Sequence, residues 1–134
     1  MIRGVGIDSI EIDRFSSWHL YAQTTLERVF SPQEIEYCLS VPKKSAERFA
    51  ARFAAREALY KALSGFSLQK SIPFLTLCKN VSIEKSKNGN PQAIVHWQTI
   101  FENNDTNVSE KISVHLSLTH NKTTAIAIVI IEAY

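Results

Sequence analysis

Asp8, Glu57 and Lys61 are of a type and spacing that could do chemistry on phosphates. Asp8 closes the short apolar run "MIRGVGI", and Glu57 and Lys61 stand one helical turn apart in "RFAAREALYKALSG". Arg48, Arg52 and Arg56 recur every fourth residue just before and within that stretch. Mg2+ takes hard oxygen ligands, keeps several waters, and shares its shell between one or two carboxylates and substrate phosphates. A lysine adds a compact positive charge for phosphate oxygens. An aspartate at a strand end, a glutamate and a lysine one turn apart, and clustered arginines together suit a magnesium-dependent reaction on phosphates. There is no P-loop, so side chains and exposed backbone amides would have to hold the phosphates. "GVGIDS" is not a dinucleotide fingerprint either, because Ser9 stands where the third glycine belongs.

Each of these residues also has an architectural reading. Asp8 can cap a short helix over Ser9–Trp18, with Glu11 reaching back as in a capping box. Glu57 and Lys61 can form an ordinary i,i+4 pair while the arginines extend their stems over apolar surface. Both readings stay open on these residues alone.

The element that positions Glu57 and Lys61 is a long helix from about Lys44 to Ser64. At about 100° per residue, Phe49, Phe53, Tyr60 and Leu63 gather on one side and Ala50, Ala51, Ala54, Ala55, Ala58 and Ala62 on the other. Aromatics fill volume and alanines admit another backbone, so both sides are packed and the helix is central. Arg56 falls within the aromatic sector, where a charge needs a partner. The arginines repel one another by a few tenths of a kcal/mol per pair, which an anion would relieve. Gly65 follows as a helix-ending residue.

Around this helix, residues 2–7 read as a strand, and "FSPQEIEYCLS" opens a helix with Ser31 as cap, Pro32 in first position and Glu34 in third. Beyond Gly65 the period changes. "NVSIEKSKNGNPQAIVHW" gives two strands around an Asn88-Gly89 turn. Residues 97–110 read as a short helix and then a loop. "KISVHLSLTH" and "TTAIAIVIIEAY" are strands joined through His120 and Asn121, the last of them buried on both faces or lying at an interface. The sum is one α+β domain over residues 1–134, with helices around one long central helix packed on a mainly antiparallel sheet.

Composition limits the function classes. The chain of 134 residues is 45 % hydrophobic and 21 % charged, which is globular. A net charge of +2 argues against nucleic-acid binding by overall charge, and no apolar run reaches membrane-spanning length. Cys38 and Cys78 have no zinc spacing and form no disulfide framework, so a soluble protein of the reducing cytoplasm is expected.

"GIDSIEIDRF" together with "RFAAREALYKALSG" resembles the holo-[acyl-carrier-protein] synthase family, the small 4′-phosphopantetheinyl transferases. The resemblance runs in order over nearly the whole chain, through "FSPQE", the central helix, the "NGNP" turn and "SLTH" before the last strand. It implies the 4′-phosphopantetheinyl transferase fold and transfer of 4′-phosphopantetheine from coenzyme A to a serine of apo-acyl carrier protein, in support of fatty acid biosynthesis. The family's metal-binding aspartate and glutamate match Asp8 and Glu57, which implies Mg2+ as cofactor, and its motif lysine matches Lys61. Glu57 is then the candidate base for the serine, directly or by way of a water.

The resemblance also places Ser64, Gly65 and His120 at the coenzyme site. For His120 a structural role is the alternative to a phosphate contact. Arg48 and Arg52 could meet the ribose 3′-phosphate or line a solvated groove. Arg14 matches the family's carrier-docking arginine, with Arg28 beside it in role and Phe15 and Trp18 as apolar neighbours or as core. A homotrimer with active sites between subunits is implied as well.

Two departures stand out. Arg56 replaces a lysine, and an arginine cannot readily give up a proton. Ser64 replaces the first glycine of a Gly-Thr-Gly, which alters backbone approach to the coenzyme. The rival readings are a non-catalytic module that binds carrier or nucleotide, and another magnesium-dependent phosphotransferase.

Overall fold

A computed structural model describes residues 1–65, 72–102 and 111–134. The first strand, β1 (Ile2–Glu11), leads through a 3-10 turn at Ile12–Phe15 to the short α1 (Gln23–Leu26) and then α2 (Pro32–Leu39). The long α3 (Ser45–Leu63) follows, then α4 (Phe74–Lys79), the hairpin β2 (Val81–Lys85) and β3 (Pro91–Val95), α5 (Trp97–Glu102), β4 (Ile112–His120) and β5 (Thr124–Ala133). β1, β5 and β4 form an antiparallel sheet in that order, and β2 pairs with β3. This is the expected α+β arrangement, with α3 at its centre.

α3 is packed on both of the sides expected. Its alanines Ala50, Ala51, Ala54, Ala55, Ala58 and Ala62 are buried, as are Phe49 and Leu63. The alanine side meets β1 backbone to backbone. A methyl group at Gly4 would overlap the Ala62 carbonyl oxygen, and one at Gly6 the Ala58 carbonyl oxygen, so only glycine lets the strand lie this close to the helix. From β5, Ala125, Ala127, Val129 and Ile131 close the same layer.

The local signals hold at α2 and at the hairpin. Ser31 Oγ accepts from Glu34 N at 3.3 Å while Ser31 N donates to the Glu34 carboxylate at 3.1 Å, a complete capping box with Pro32 at the first turn. Gly89 turns the hairpin at φ +83°.

Elsewhere the structure differs. The helix expected over Ser9–Trp18 shrinks to the single 3-10 turn at Ile12–Phe15, because β1 continues to Glu11, with Ser9 opposite Ile126 and Glu11 opposite Thr124. Ile10 and Ile12 are buried while Ser9 and Glu11 are exposed, the period of a strand. Asp8 therefore caps no helix and lies inside β1 rather than at its end. Gly65 does not end α3 in a left-handed conformation. Ser64 is the C-cap, and Gly65 instead brings its Cα against the Arg3 carbonyl, where a methyl would collide. β5 is not buried on both faces. Its residues alternate, and Ile126 and Ile128 face outward, beside Val5 (57 % exposed) and Ile7 (59 % exposed) of β1. The short helix read within residues 97–110 is α5, and residues 103–110 lie outside the described residues.

Candidate active site

Asp8 shares the inward face of β1 with Gly6 and Ile10, so the glycine-alanine seam sets its carboxylate beside the C-terminal half of α3. Lys61 Nζ donates to Asp8 Oδ1 at 2.9 Å and to the Ile7 carbonyl at 3.0 Å. The architectural alternative, a Glu57–Lys61 pair, gives way: among the described residues the ion pair of Lys61 is with Asp8.

Glu57, one turn earlier on α3, is held above the usual carboxylate range. Partial burial is the main cause and the nearby Asp8 charge the second, while Lys61 and Arg14 pull the other way. A carboxylate raised by the charge of a second one close by marks a place where a cation would be held. The donor set is hard oxygen. Among the described residues no three of His, Cys, Asp and Glu gather, so the chain offers two carboxylates and leaves room in a six-oxygen shell for water and phosphate. Asp8 and Glu57 fit a Mg2+ ion used in that way.

Ser64 lies at the end of α3, its Oγ donating to the Lys61 carbonyl at 2.6 Å, and Gly65 follows. Both are thus one turn from Lys61. The other expected residues are not brought to this cluster within one chain. Arg48 donates to the Tyr37 carbonyl at 2.8 Å and Ser40 Oγ at 3.0 Å, its guanidinium 4.0 Å from the Tyr37 ring centre. Arg52 is buried between that ring and Glu34, its Nε 4.0 Å from Glu34 Oε2. Both serve the α2 side of α3, where Arg52, largely buried, lines a shallow pocket with Gln33, Glu34, Tyr37 and Glu84. His120, at the end of β4, lies 3.4 Å from Glu47 at the start of α3. Ten residues, about 15 Å of helix, separate Glu47 from Glu57.

The anion that Arg56 requires is Glu34. Arg56 Nη1 donates to Glu34 Oε2 at 2.7 Å, Nη2 pairs with Glu34 Oε1, and Nη2 also donates to the Val81 carbonyl at 2.8 Å. In the sequence Glu34 shows only as a helix-start residue. The signal for its second duty is the stranded charge of Arg56, which names the need but not the partner. Phe15 is core and Trp18 packs among Phe15, Phe30, Phe49 and Phe53, while Arg14 and Arg28 are exposed.

The chain is similar to known proteins in sequence and in fold. The sequence model of the 4′-phosphopantetheinyl transferase superfamily matches residues 4–129. A holo-[acyl-carrier-protein] synthase of Treponema denticola is 40 % identical, with 98 % of this chain and 99 % of the relative covered. One of Geotalea daltonii is 34 % identical, with 98 % and 99 % covered. Among solved structures, a holo-(acyl-carrier-protein) synthase from Bacillus anthracis in complex with coenzyme A (3′,5′-ADP) superposes with a TM-score of 0.69 at 30 % identity, covering 100 % of this chain and 99 % of the other.

Proposed function

The chain belongs to the 4′-phosphopantetheinyl transferase superfamily, and from that premise we propose that it moves 4′-phosphopantetheine from coenzyme A to a serine hydroxyl of apo-acyl carrier protein, in support of fatty acid biosynthesis. The observation that carries the reading is the meeting of Asp8, Glu57 and Lys61 across the β1–α3 seam.

The reaction is an in-line displacement. The serine oxygen bonds to the β-phosphorus as that phosphorus loses its bridging oxygen, and adenosine 3′,5′-bisphosphate leaves with the bridging oxygen and its electron pair. The serine proton goes to Glu57, directly or by way of a water. Lys61 balances charge on the phosphate oxygens, and Ser64 and Gly65 offer backbone beside the coenzyme. Asp8 and Glu57 would hold Mg2+, whose charge when bound neutralises the pyrophosphate. Arg56 has no acid or base duty, since its guanidinium stays protonated and is spent on Glu34.

The active protein is a homotrimer with sites between subunits. Support comes from the outward isoleucine and valine face of β1 and β5, an apolar surface of the kind that marks an interface. Further support comes from His120, which pairs with Glu47 at the start of α3 and not with the Asp8 cluster near its end. Arg14, exposed and felt by Glu57, docks the acidic carrier next to the site. The two free thiols, Cys38 and Cys78, suit a reducing cytoplasm, and among the described residues no helix is long and apolar enough to cross a membrane.

The test is to incubate the protein with apo-acyl carrier protein, coenzyme A and Mg2+ and to weigh the carrier by mass spectrometry. A gain of one phosphopantetheine is expected. No gain would favour the non-catalytic module, and a different adduct another phosphotransferase.

A further inference from the structure

Arg56 and Glu34 are both fully buried, the one pair of opposite charges so placed among the described residues. Their geometry is that of a clamp. The guanidinium grips both carboxylate oxygens of Glu34 on α2 and, through Nη2, the carbonyl of Val81, the first residue of β2. Glu34 cannot swing, because its carboxylate also accepts from Ser31 N and its own N–H is held by Ser31 Oγ. Two segments distant in sequence, α2 and β2, thus converge on one side chain of α3.

On its other side α3 meets the sheet mainly through small side chains, beside Val129 and Ile131 of β5, with the exposed Lys61 bonded across to Asp8 and the Ile7 carbonyl. Gly4 and Gly6 lie on Ala58 and Ala62 without a large side chain to key one surface into the other. Dispersion holds such a seam together, but it is nearly indifferent to a small roll of the helix. Directional, bidentate hydrogen bonds are not. Glu57 follows Arg56 directly, about 100° round the helix, so a roll that strains the fork swings Glu57 and Lys61 relative to Asp8. Nor does the fork's net stability explain its burial, since replacing a buried ion pair by neutral groups is often neutral or stabilising.

We propose that Arg56 and Glu34 are positioning residues for the transfer site: their buried fork fixes the roll of α3 and thereby the place of Glu57 and Lys61. The proposal rests on the transfer activity proposed above and involves none of the residues that touch substrate.

The test is steady-state transfer kinetics with thermal melts, run on the wild type and on Glu34→Gln/Arg56→Met. Glutamine keeps the helix start capped, and the double change removes both charges of the fork while Arg52 keeps its place over the Tyr37 ring. The double variant is expected to melt cooperatively near the wild-type temperature. Its kcat should fall about tenfold or more, with KM for coenzyme A within about threefold, because misalignment is felt mainly in the transition state. Arg56→Lys, which keeps the charge but not the fork, should recover part of the loss. A folded double variant with kcat within twofold of wild type overturns the proposal. If the double variant does not fold, Glu34→Asp decides in the same way: it keeps both charges but withdraws the carboxylate by one bond, about 1.5 Å, and a wild-type kcat there also overturns the proposal. A wild type that transfers nothing would instead overturn the activity itself, so the two failures are distinguishable.

Discussion

Lys61 reaches from α3 across to β1, its ammonium 2.9 Å from Asp8 Oδ1 and 3.0 Å from the Ile7 carbonyl. Half of the Lys61 side chain is exposed (52 %), and exposed ion pairs add little to stability. The pair therefore serves to hold a charge in place. Lys61→Gln should lower kcat/KM for transfer about a hundredfold while changing stability by less than about 1 kcal/mol. Transfer rates and denaturant melts on the same preparation check both halves, and an inactive protein that is also unfolded would refute the second.

The seam that brings Asp8 to this helix depends on the missing side chain at Gly6, where a methyl would overlap the Ala58 carbonyl oxygen. Gly6→Ala is expected to cost about 3 kcal/mol or more, an overpacking penalty at the upper end of the usual range. Ser9→Ala, exposed on the opposite face of the same strand, should stay within about 0.5 kcal/mol of wild type. Equal stability of the two variants would show that β1 can move away from α3.

What the residues disclose by themselves depends on the range of the interaction that decides each feature. The start of α2 and the Gly89 turn are settled within a few residues, so Ser31, Pro32 and Asn88-Gly89 mark them plainly. The length of α3 and its two packed faces follow from periodicity. The path of β1 past Asp8 does not, because "IDSIEIDRF" also satisfies a helix start. Its pairing with β5, at the other end of the chain, decides for the strand. The same holds for the site. Asp8, Glu57 and Lys61 are legible through their types and the family resemblance, whereas the commitment of Arg52 to Tyr37 and of Arg56 to Glu34 arises only when α2 docks on α3.

Val5 lies opposite Ile130 and Ile7 opposite Ile128, so the outward face of the sheet carries adjoining apolar pairs. If this face is the subunit interface, Ile128→Lys should give a monomer by light scattering where the wild type gives three chains, with transfer lost as the shared sites come apart. A fully active monomer, of either protein, would end the trimer proposal.

Arg14 is exposed on the turn after β1. Arg14→Glu should raise KM for acyl carrier protein about tenfold, leave KM for coenzyme A almost unchanged, and weaken the salt dependence of association. A rise in KM for coenzyme A instead would assign Arg14 to the phosphates, a result that its influence on Glu57 makes worth measuring.

The central claim is that Asp8 and Glu57 act together at one site. The most direct measurement is single-turnover phosphopantetheine transfer by Asp8→Asn, Glu57→Gln and the double variant, each shown to be folded. Each single variant should lose about a hundredfold or more in rate, and the double variant should be little worse than either, because both changes empty the same site. Folded single variants with near-normal rates, or losses that multiply in the double variant, would contradict it.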